Sequence, residues 1–559
     1  MNCNGRPKRA WWKEQVVYQI YPRSFKDTNG DGVGDLKGII SKIDYLADLG
    51  IDIVWLSPHF DSPNADNGYD IRDYKKVMDE FGTMDDFDEM LAKFKEKGIK
   101  LIIDLVVNHS SDEHQWFKES KSSKKSPYRD YYIWRAGSDE KEPNNWPSFF
   151  GGSAWEKDPE TNEYYLHYFS KKQPDLNWEN PQLREEVYSI MRFWLDKGVA
   201  GYRMDVIPLI SKHQDFKDMS RLELQHPEEI YASGPRIHEF LGEMNDQVLS
   251  KYDAMTVGEG FGVTKALTQR MTDERRKELN LCFSFDIIRI GRDNWQQRNF
   301  TLQELKTLFT IQNDTDNFHW PTVFLNNHDN PRSVSKFGCD SDQNRKYSAK
   351  LLALLILTQR GTPFLYQGEE IGMTNYFFTS FDEFDDVEIG GNYGQILENG
   401  VDAHTYLTEL NKSSRDHSRT PMQWSSEPQA GFTSATQSWL AVNPNFKEIN
   451  VADQLADKNS IFHFYKELLQ FRRGNEDLIY GCYYDIAPDH ENVFAYTRTG
   501  EKKSFLIILN MSNASVSFDH GQQETAYQMT LSNYVKDLGK LLPKTLILNP
   551  WEAQLYTSV

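Results

Sequence analysis

The sequence predicts an α/β protein, a (β/α)8 TIM barrel with a domain inserted after its third strand and an antiparallel β domain at its C-terminal end. Three observations predict it. Eight short apolar runs alternate with amphipathic helical stretches. No G-x-G-x-x-G turn follows the first run, which argues against an open doubly wound sheet. After about residue 478 the alternation stops and strands follow one another without helices.

Taken in order, "QVVYQIYP" is the first strand, and "LKGIISKIDYLADLG" follows it with Leu36, Ile39, Ile40, Ile43 and Leu46 at helical spacing and Gly50 as the stop. "IDIVWLSP" is the second strand, "FDEMLAKFKEKG" a helix, and "IKLIIDLVVNH" the third strand. Residues 109–177 are rich in Tyr, Trp, Ser, Lys and Asp with little helical period, and form the insertion. "REEVYSIMRFWLDKG" then returns a helix and "VAGYRMD" the fourth strand. "AMTVGE", "LCFSFD", "TVFLNNHD" and "TPFLYQGEE" complete the eight. The expected division is a barrel over 1–108 and 178–477, the insertion at 109–177, and a β-sandwich at 478–559.

A chain of 559 residues with 39% hydrophobic and 13% aromatic residues has ample material for such a core. Its formal net charge of -20 excludes the concentrated basic surface that nucleic acid or an anionic membrane needs, so a small neutral partner is expected. No apolar run follows the opening "MNCNGRPKRAWWKEQ", so neither a signal peptide nor a membrane span is expected, and the location is read as cytoplasmic. Cys3, Cys282, Cys339 and Cys482 have no metal or redox spacing and are read as free thiols. A monomer is expected.

Chemistry in a barrel gathers at the carboxyl ends of strands. In "GYRMDVIP" Arg203 and Asp205 share a strand face, an expensive pair to bury without a task. Asp205 ends the fourth strand, Glu259 the fifth, and His328 and Asp329 the seventh, while Asn108 and His109 end the third. Arg203 among these acids disfavours a cation site and favours acid and nucleophile chemistry. Retaining glycoside hydrolysis needs one ionised carboxylate and one protonated carboxyl. Arg203 is expected to keep Asp205 ionised, and the apolar Val257 and Phe261 to raise Glu259. His109 and His328 are placed to donate to sugar hydroxyls and Tyr69 to stack on a sugar face.

"DLVVNH", "GYRMDV", "VGEGFG" and "NNHD", in this order, resemble the four characteristic regions of the α-amylase family, glycoside hydrolase family 13. "QPDLN" at 173–177 resembles the signature of its oligo-1,6-glucosidase branch, which also contains sucrose isomerases. The resemblance implies Asp205 as nucleophile, Glu259 as general acid/base and Asp329 as the acid that grips the distorted sugar. It also implies that Asp66 and Arg415 close the pocket around the non-reducing glucose, with Tyr69, His109, Arg203 and His328 completing a one-sugar, exo-acting site. "DTNGDGVGD" places Asp27, Asn29, Asp31 and Asp35 with the Val33 carbonyl in a spacing like the start of an EF-hand loop. A structural Ca2+, with Mg2+ as the alternative, is expected there.

Val206, next to the nucleophile, resembles enzymes that prefer α-1,6 bonds. Phe261 and Phe285 instead match the aromatic pair of sucrose isomerases, with Arg289 and Glu388 left to bind the aglycone. "RIGRD" at 289–293 departs from the isomerase motif by placing Gly291 where an acid stands. The expected function is therefore a retaining exo-α-glucosidase acting on isomaltose-type sugars, sucrose or sucrose isomers. The alternatives are a sucrose isomerase and, more remotely, a non-catalytic amylase-like protein.

Overall fold

The computed structural model describes residues 7–137, 141–293, 296–314, 316–521, 525–534 and 538–559. All eight expected strands form: β1 Val17–Ile20, β2 Ile53–Leu56, β3 Lys100–Leu105, β4 Gly201–Met204, β5 Met255–Glu259, β6 Leu281–Phe283, β7 Thr322–Val323 and β8 Thr362–Tyr366. They pair in parallel in the order β6-β5-β4-β3-β2-β1-β8-β7. Between β6 and β7 the Thr322 hydroxyl donates to the Cys282 carbonyl at 3.3 Å, which brings the two ends of the sheet together.

The two-residue period of a strand explains both faces of this sheet. Val17, Ile53, Ile102, Met255, Val257, Leu281 and Phe364 form the interior cluster. Tyr18, Ile20, Val54, Leu56, Leu101 and Ile103 point outward into the core shared with the helices. One step further along the inward face come Gln19, Asp104, Arg203 and Glu259, so a polar layer sits on an apolar floor at the carboxyl end.

The helices end where glycine permits it. Helix Pro181–Lys197 starts at the Asn180 cap and stops at Gly198 with φ 108°, and helix Ile43–Leu49 stops at Gly50 with φ 98°. Helix Met84–Glu96 opens with a capping box between Thr83 and Asp86. The stretch after β3 carries a three-stranded antiparallel sheet of Trp134–Arg135, Glu163–Leu166 and Trp155–Asp158, around Trp146, Trp155, Tyr164 and Tyr168. The C-terminal part is a five-stranded antiparallel sheet spanning Cys482 to Ser558, with a two-stranded partner at Val516–Asp519 and Thr545–Leu548. Arg498 ties it to the barrel by donating to the Thr358 carbonyl at 2.7 Å.

Two helices beyond β8, Val387–Glu398 and Ala403–Ser413, were not singled out by the sequence pattern and lie over the barrel mouth. Cys282 and Cys339 are free, whereas Cys482 is held in a disulfide, which corrects the expectation of free thiols at that position. Cys3 lies outside the described residues. Among the described residues no helix is long and apolar enough to cross a membrane.

Candidate active site

Arg203 is the hub of the polar layer. It stands opposite Asp104 in the β3–β4 register, and its Nη1 meets Asp104 at 2.7 Å and Asp205 at 2.5 Å. Its Nη2 meets Glu259 at 2.6 Å. Glu259 also accepts the Val206 N–H at 3.0 Å. To offer that N–H, Val206 adopts φ 34° and ψ 38°, a left-handed conformation that is costly for a β-branched residue.

This geometry corrects one expectation. Arg203 does not serve Asp205 alone, because three carboxylates converge on its single guanidinium. Burial pushes the Asp205 carboxyl well above its usual range; Arg203 opposes this, while Glu259 and Asp104 add to it. Burial also pushes Asp104 up to about 6, against the pull of Arg203 and the Trp55 indole N–H. Three carboxylates facing one guanidinium make full ionisation of the cluster costly.

Asp329 is the opposite case. Burial works against its ionised form, but His328, Arg415 and Arg419 outweigh it and hold the carboxyl well below the usual range. Arg419 reaches it at 2.9 Å, His328 Nε2 at 3.1 Å and Arg415 at 3.4 Å. Burial depresses His328 to about 3, so its ring is neutral at ordinary pH. The Gln19 amide donates to Nδ1 at 2.8 Å, which leaves the hydrogen on Nε2, facing Asp329 and the Tyr69 hydroxyl, the latter at 2.7 Å.

On the other side of the cavity His109, also held to about 3 by burial, approaches the Tyr69 carbonyl at 3.1 Å. Gln173, the first residue of "QPDLN", donates to Asp66 at 2.9 Å and so ties the insertion to the site. Burial raises Asp66 to about 7, with Arg415 and Arg419 pulling it down. Arg415 donates to Asp386 at 2.9 Å and lies 5.7 Å over the Phe150 ring.

These groups open into a cavity of about 530 Å³ whose wall includes Asp66, Tyr69, His109, Asp205, Glu259, Asp329 and Arg415. That is the size of a site for one or two sugar rings. Arg203 and His328 stand behind the wall, engaged by protein partners. The outer half is lined by Phe261, Phe285, Arg289, Arg292 and Glu388. Phe261 and Phe285 are nearly perpendicular with centroids 6.4 Å apart, Arg289 lies 5.7 Å over Phe261, and Glu388 pairs with Arg292 at 3.4 Å.

Several lining or supporting residues escaped sequence reasoning. Asp104 was reachable, since the strand period places it on the face of Ile102 and level with Arg203. Asp386, Arg292, Glu228 and the insertion's Phe149, Phe150 and Phe169 come from loops and helix starts, where no periodicity points at the site. The five residues expected to hold a metal form a tight turn apart from this cavity. Asp27 accepts the Gly32 N–H at 2.9 Å, Asp31 the Val33 N–H at 2.8 Å, and Asp35 caps the next helix through the Gly38 N–H at 2.6 Å. Among the described residues no three His, Cys, Asp or Glu side chains gather as metal ligands do.

The α-amylase catalytic-domain model matches residues 19–481, which take in the barrel strands except Val17 and Tyr18 of β1. The chain belongs to the α-amylase family. It is 51% identical to the oligo-1,6-glucosidase of Parageobacillus thermoglucosidasius over 98% of this chain and 99% of that one. Among solved structures, an isomaltulose synthase from Protaminobacter rubrum superposes with a TM-score of 0.97 at 47% identity, covering 99% of this chain and 100% of that one. A mutant isomaltulose synthase from Erwinia rhapontici NX5, solved with its natural substrate sucrose, gives a TM-score of 0.97 at 48% identity, covering 98% and 99%. This α-amylase-family chain is a glycoside hydrolase with a TIM-barrel fold.

Proposed function

We propose that the protein is a retaining, exo-acting α-glucosidase that removes the non-reducing α-glucosyl unit from short α-1,6-linked sugars, with sucrose and sucrose isomers as further substrates. The observation that carries the reading is the single Arg203 guanidinium joining Asp205 and Glu259 at the floor of the cavity. In this reading Asp205 attacks the anomeric carbon while Glu259 gives its proton to the departing glycosidic oxygen, leaving a glucosyl ester. Glu259, now ionised, takes a proton from water as that water displaces Asp205, and glucose leaves. Asp329, kept ionised by its neighbours, is suited to a positively charged, oxocarbenium-like transition state.

Product analysis tests this. Incubation with isomaltose, maltose, sucrose, isomaltulose and trehalulose is expected to give glucose as the main product, fastest from isomaltose. No glucose from any of them would overturn the reading. The perpendicular pair of Phe261 and Phe285 favours a second reading, sucrose isomerase. A new disaccharide from sucrose, with little free glucose, would establish it.

The proposal extends to a Ca2+ or Mg2+ held by Asp27, Asn29, Asp31, Asp35 and the Val33 carbonyl. The donor set is all oxygen, as hard cations require, and the residues Asp27 and Asp35 are 2% and 5% exposed. Bound there, the ion would add charge balance to a folded loop and so stability rather than chemistry. EDTA is expected to lower Tm by several degrees, added Ca2+ to restore it, and Asp27→Ala to abolish the response. We also assign the protein to the cytoplasm as a monomer. Cell fractionation is expected to recover the activity with the cytoplasmic proteins, and sedimentation to give one chain per particle.

A further inference from the structure

The short helix Ser333–Phe337 leaves the barrel just beyond Asp329, and its Lys336 turns towards the segment that carries Arg289 and Arg292. The Lys336 ammonium donates to the Ile288 carbonyl. Burial, and then Arg292 and Arg289, lower it to about 7, and among the described residues no carboxylate lies within ion-pair distance of it. An ammonium half-buried beside two guanidiniums is an unfavourable arrangement, and a bland core residue would remove the cost. What the lysine secures is the main chain at Ile288, one residue before Arg289.

That segment carries the polar groups of the outer half of the cavity. Arg289 is held over Phe261 and Arg292 against Glu388, and all four side chains line the wall. Lys336 itself does not line it, so it can act only through the segment. Because Lys336 belongs to the helix that follows Asp329, its bond to Ile288 joins the segment of Arg289 and Arg292 to the stretch that carries that acid.

We propose that Lys336 is a positioning residue for the aglycone: its bond to Ile288 sets where Arg289 and Arg292 meet the leaving sugar. The inference rests on the glucosidase reading above. It separates two substrates, isomaltose, whose second ring must meet that wall, and α-glucosyl fluoride, whose leaving group has no ring.

The test is steady-state kinetics of Lys336→Met on both. The expected result is a KM for isomaltose raised about tenfold, kcat on the fluoride within about twofold of the parent, and recovery in Lys336→Arg, which restores charge and donor. Equal losses on both substrates, no change on either, or no recovery in the arginine variant would overturn it. Should the methionine variant fail to fold, Lys336→Gln carries the same comparison. Parent activity on isomaltose is measured first, since its absence removes the glucosidase reading, whereas an active parent with an unchanged variant removes only the role of Lys336.

Discussion

The inner and outer halves of the cavity are built by different means. The inner half is assembled around strand ends: the register sets Asp104 opposite Arg203 on β3 and β4, Glu259 ends β5, and the loop beyond β7 brings in His328 and Asp329. Its charges are cross-braced, with Arg203 on three carboxylates and Asp329 on Arg415, Arg419 and His328. The outer half is assembled from loops and helix starts that share no common frame, with the Phe261–Phe285 pair, Arg289 and the Arg292–Glu388 contact. A reaction that always begins with a glucosyl unit and ends with variable partners suits this division. In the proposed reading the strand-end half does the chemistry and the loop-built half meets the leaving sugar.

The largest way to break the comparison is to remove Asp205, the carboxylate proposed as nucleophile. Asp205→Asn keeps the shape of the inner half and is expected to lower kcat on every substrate by about 10⁴-fold or more, whatever the aglycone. Azide, a small anion able to take the place of the missing carboxylate, is expected to restore turnover with glucosyl azide as product. Residual activity that depended on the leaving sugar would show that the halves are not separable.

Asp66 offers a smaller and pH-dependent test. Its folded value of about 7 lies above the unfolded one of about 4, so the folded state holds a proton that the unfolded chain has shed. The resulting stabilisation is complete below about pH 4 and is lost as pH rises through about 7. Asp66→Asn cannot ionise, so the Tm of the variant minus that of the parent is expected to increase between pH 5 and pH 8. Activity moves the other way. The ionised carboxylate is the better acceptor for a sugar hydroxyl, so the parent's KM should fall over that interval, and the variant should lose about 10- to 100-fold in kcat/KM at pH 8. A flat Tm difference across the range would mean that Asp66 titrates normally.

The same division explains what the sequence made legible. The eight strands and their glycine-capped helices announce themselves because periodicity and left-handed caps are local. Asp205 and Glu259 follow from them, since a charge at the end of an apolar strand has one place to go, whereas the seventh strand stops at Val323 and Asp329, expected at its end, reaches the cavity from the loop beyond. The proton balance was not legible, because Arg203 meets Asp104 and Glu259 only through pairing between strands distant in sequence. Nor was the role of Asp386, which acts by holding Arg415 across a loop, or of Phe149 and Phe150, whose insertion folds on its own sheet before reaching the cavity. Cys482 misled for a related reason, since spacing along the chain says nothing about a partner brought close by folding.

The smallest expected effect concerns Gly291, and it sharpens the outer half most. The residue has φ 76°, and a Cβ placed on it would lie 2.5 Å from both the Arg298 carbonyl and the Gln297 amide. Those groups are themselves fixed, since the Gln297 amide donates to the Ile290 carbonyl at 3.2 Å and its main-chain N–H to Glu409 at 2.8 Å. Gly291→Ala therefore costs about 1 kcal/mol for the backbone conformation plus whatever the contact adds. In a chain of this size that lowers Tm by only about 1–2 °C. Gly291→Asp restores the acid of the isomerase-like motif but meets the same obstruction from the Arg298 carbonyl and the Gln297 amide. The ratio of new disaccharide to glucose formed from sucrose is accordingly expected to change by less than about twofold in Gly291→Asp. A large rise in that ratio would mean that the outer half yields readily and that a single acid, rather than the packing around Gln297, decides between water and fructose as the acceptor.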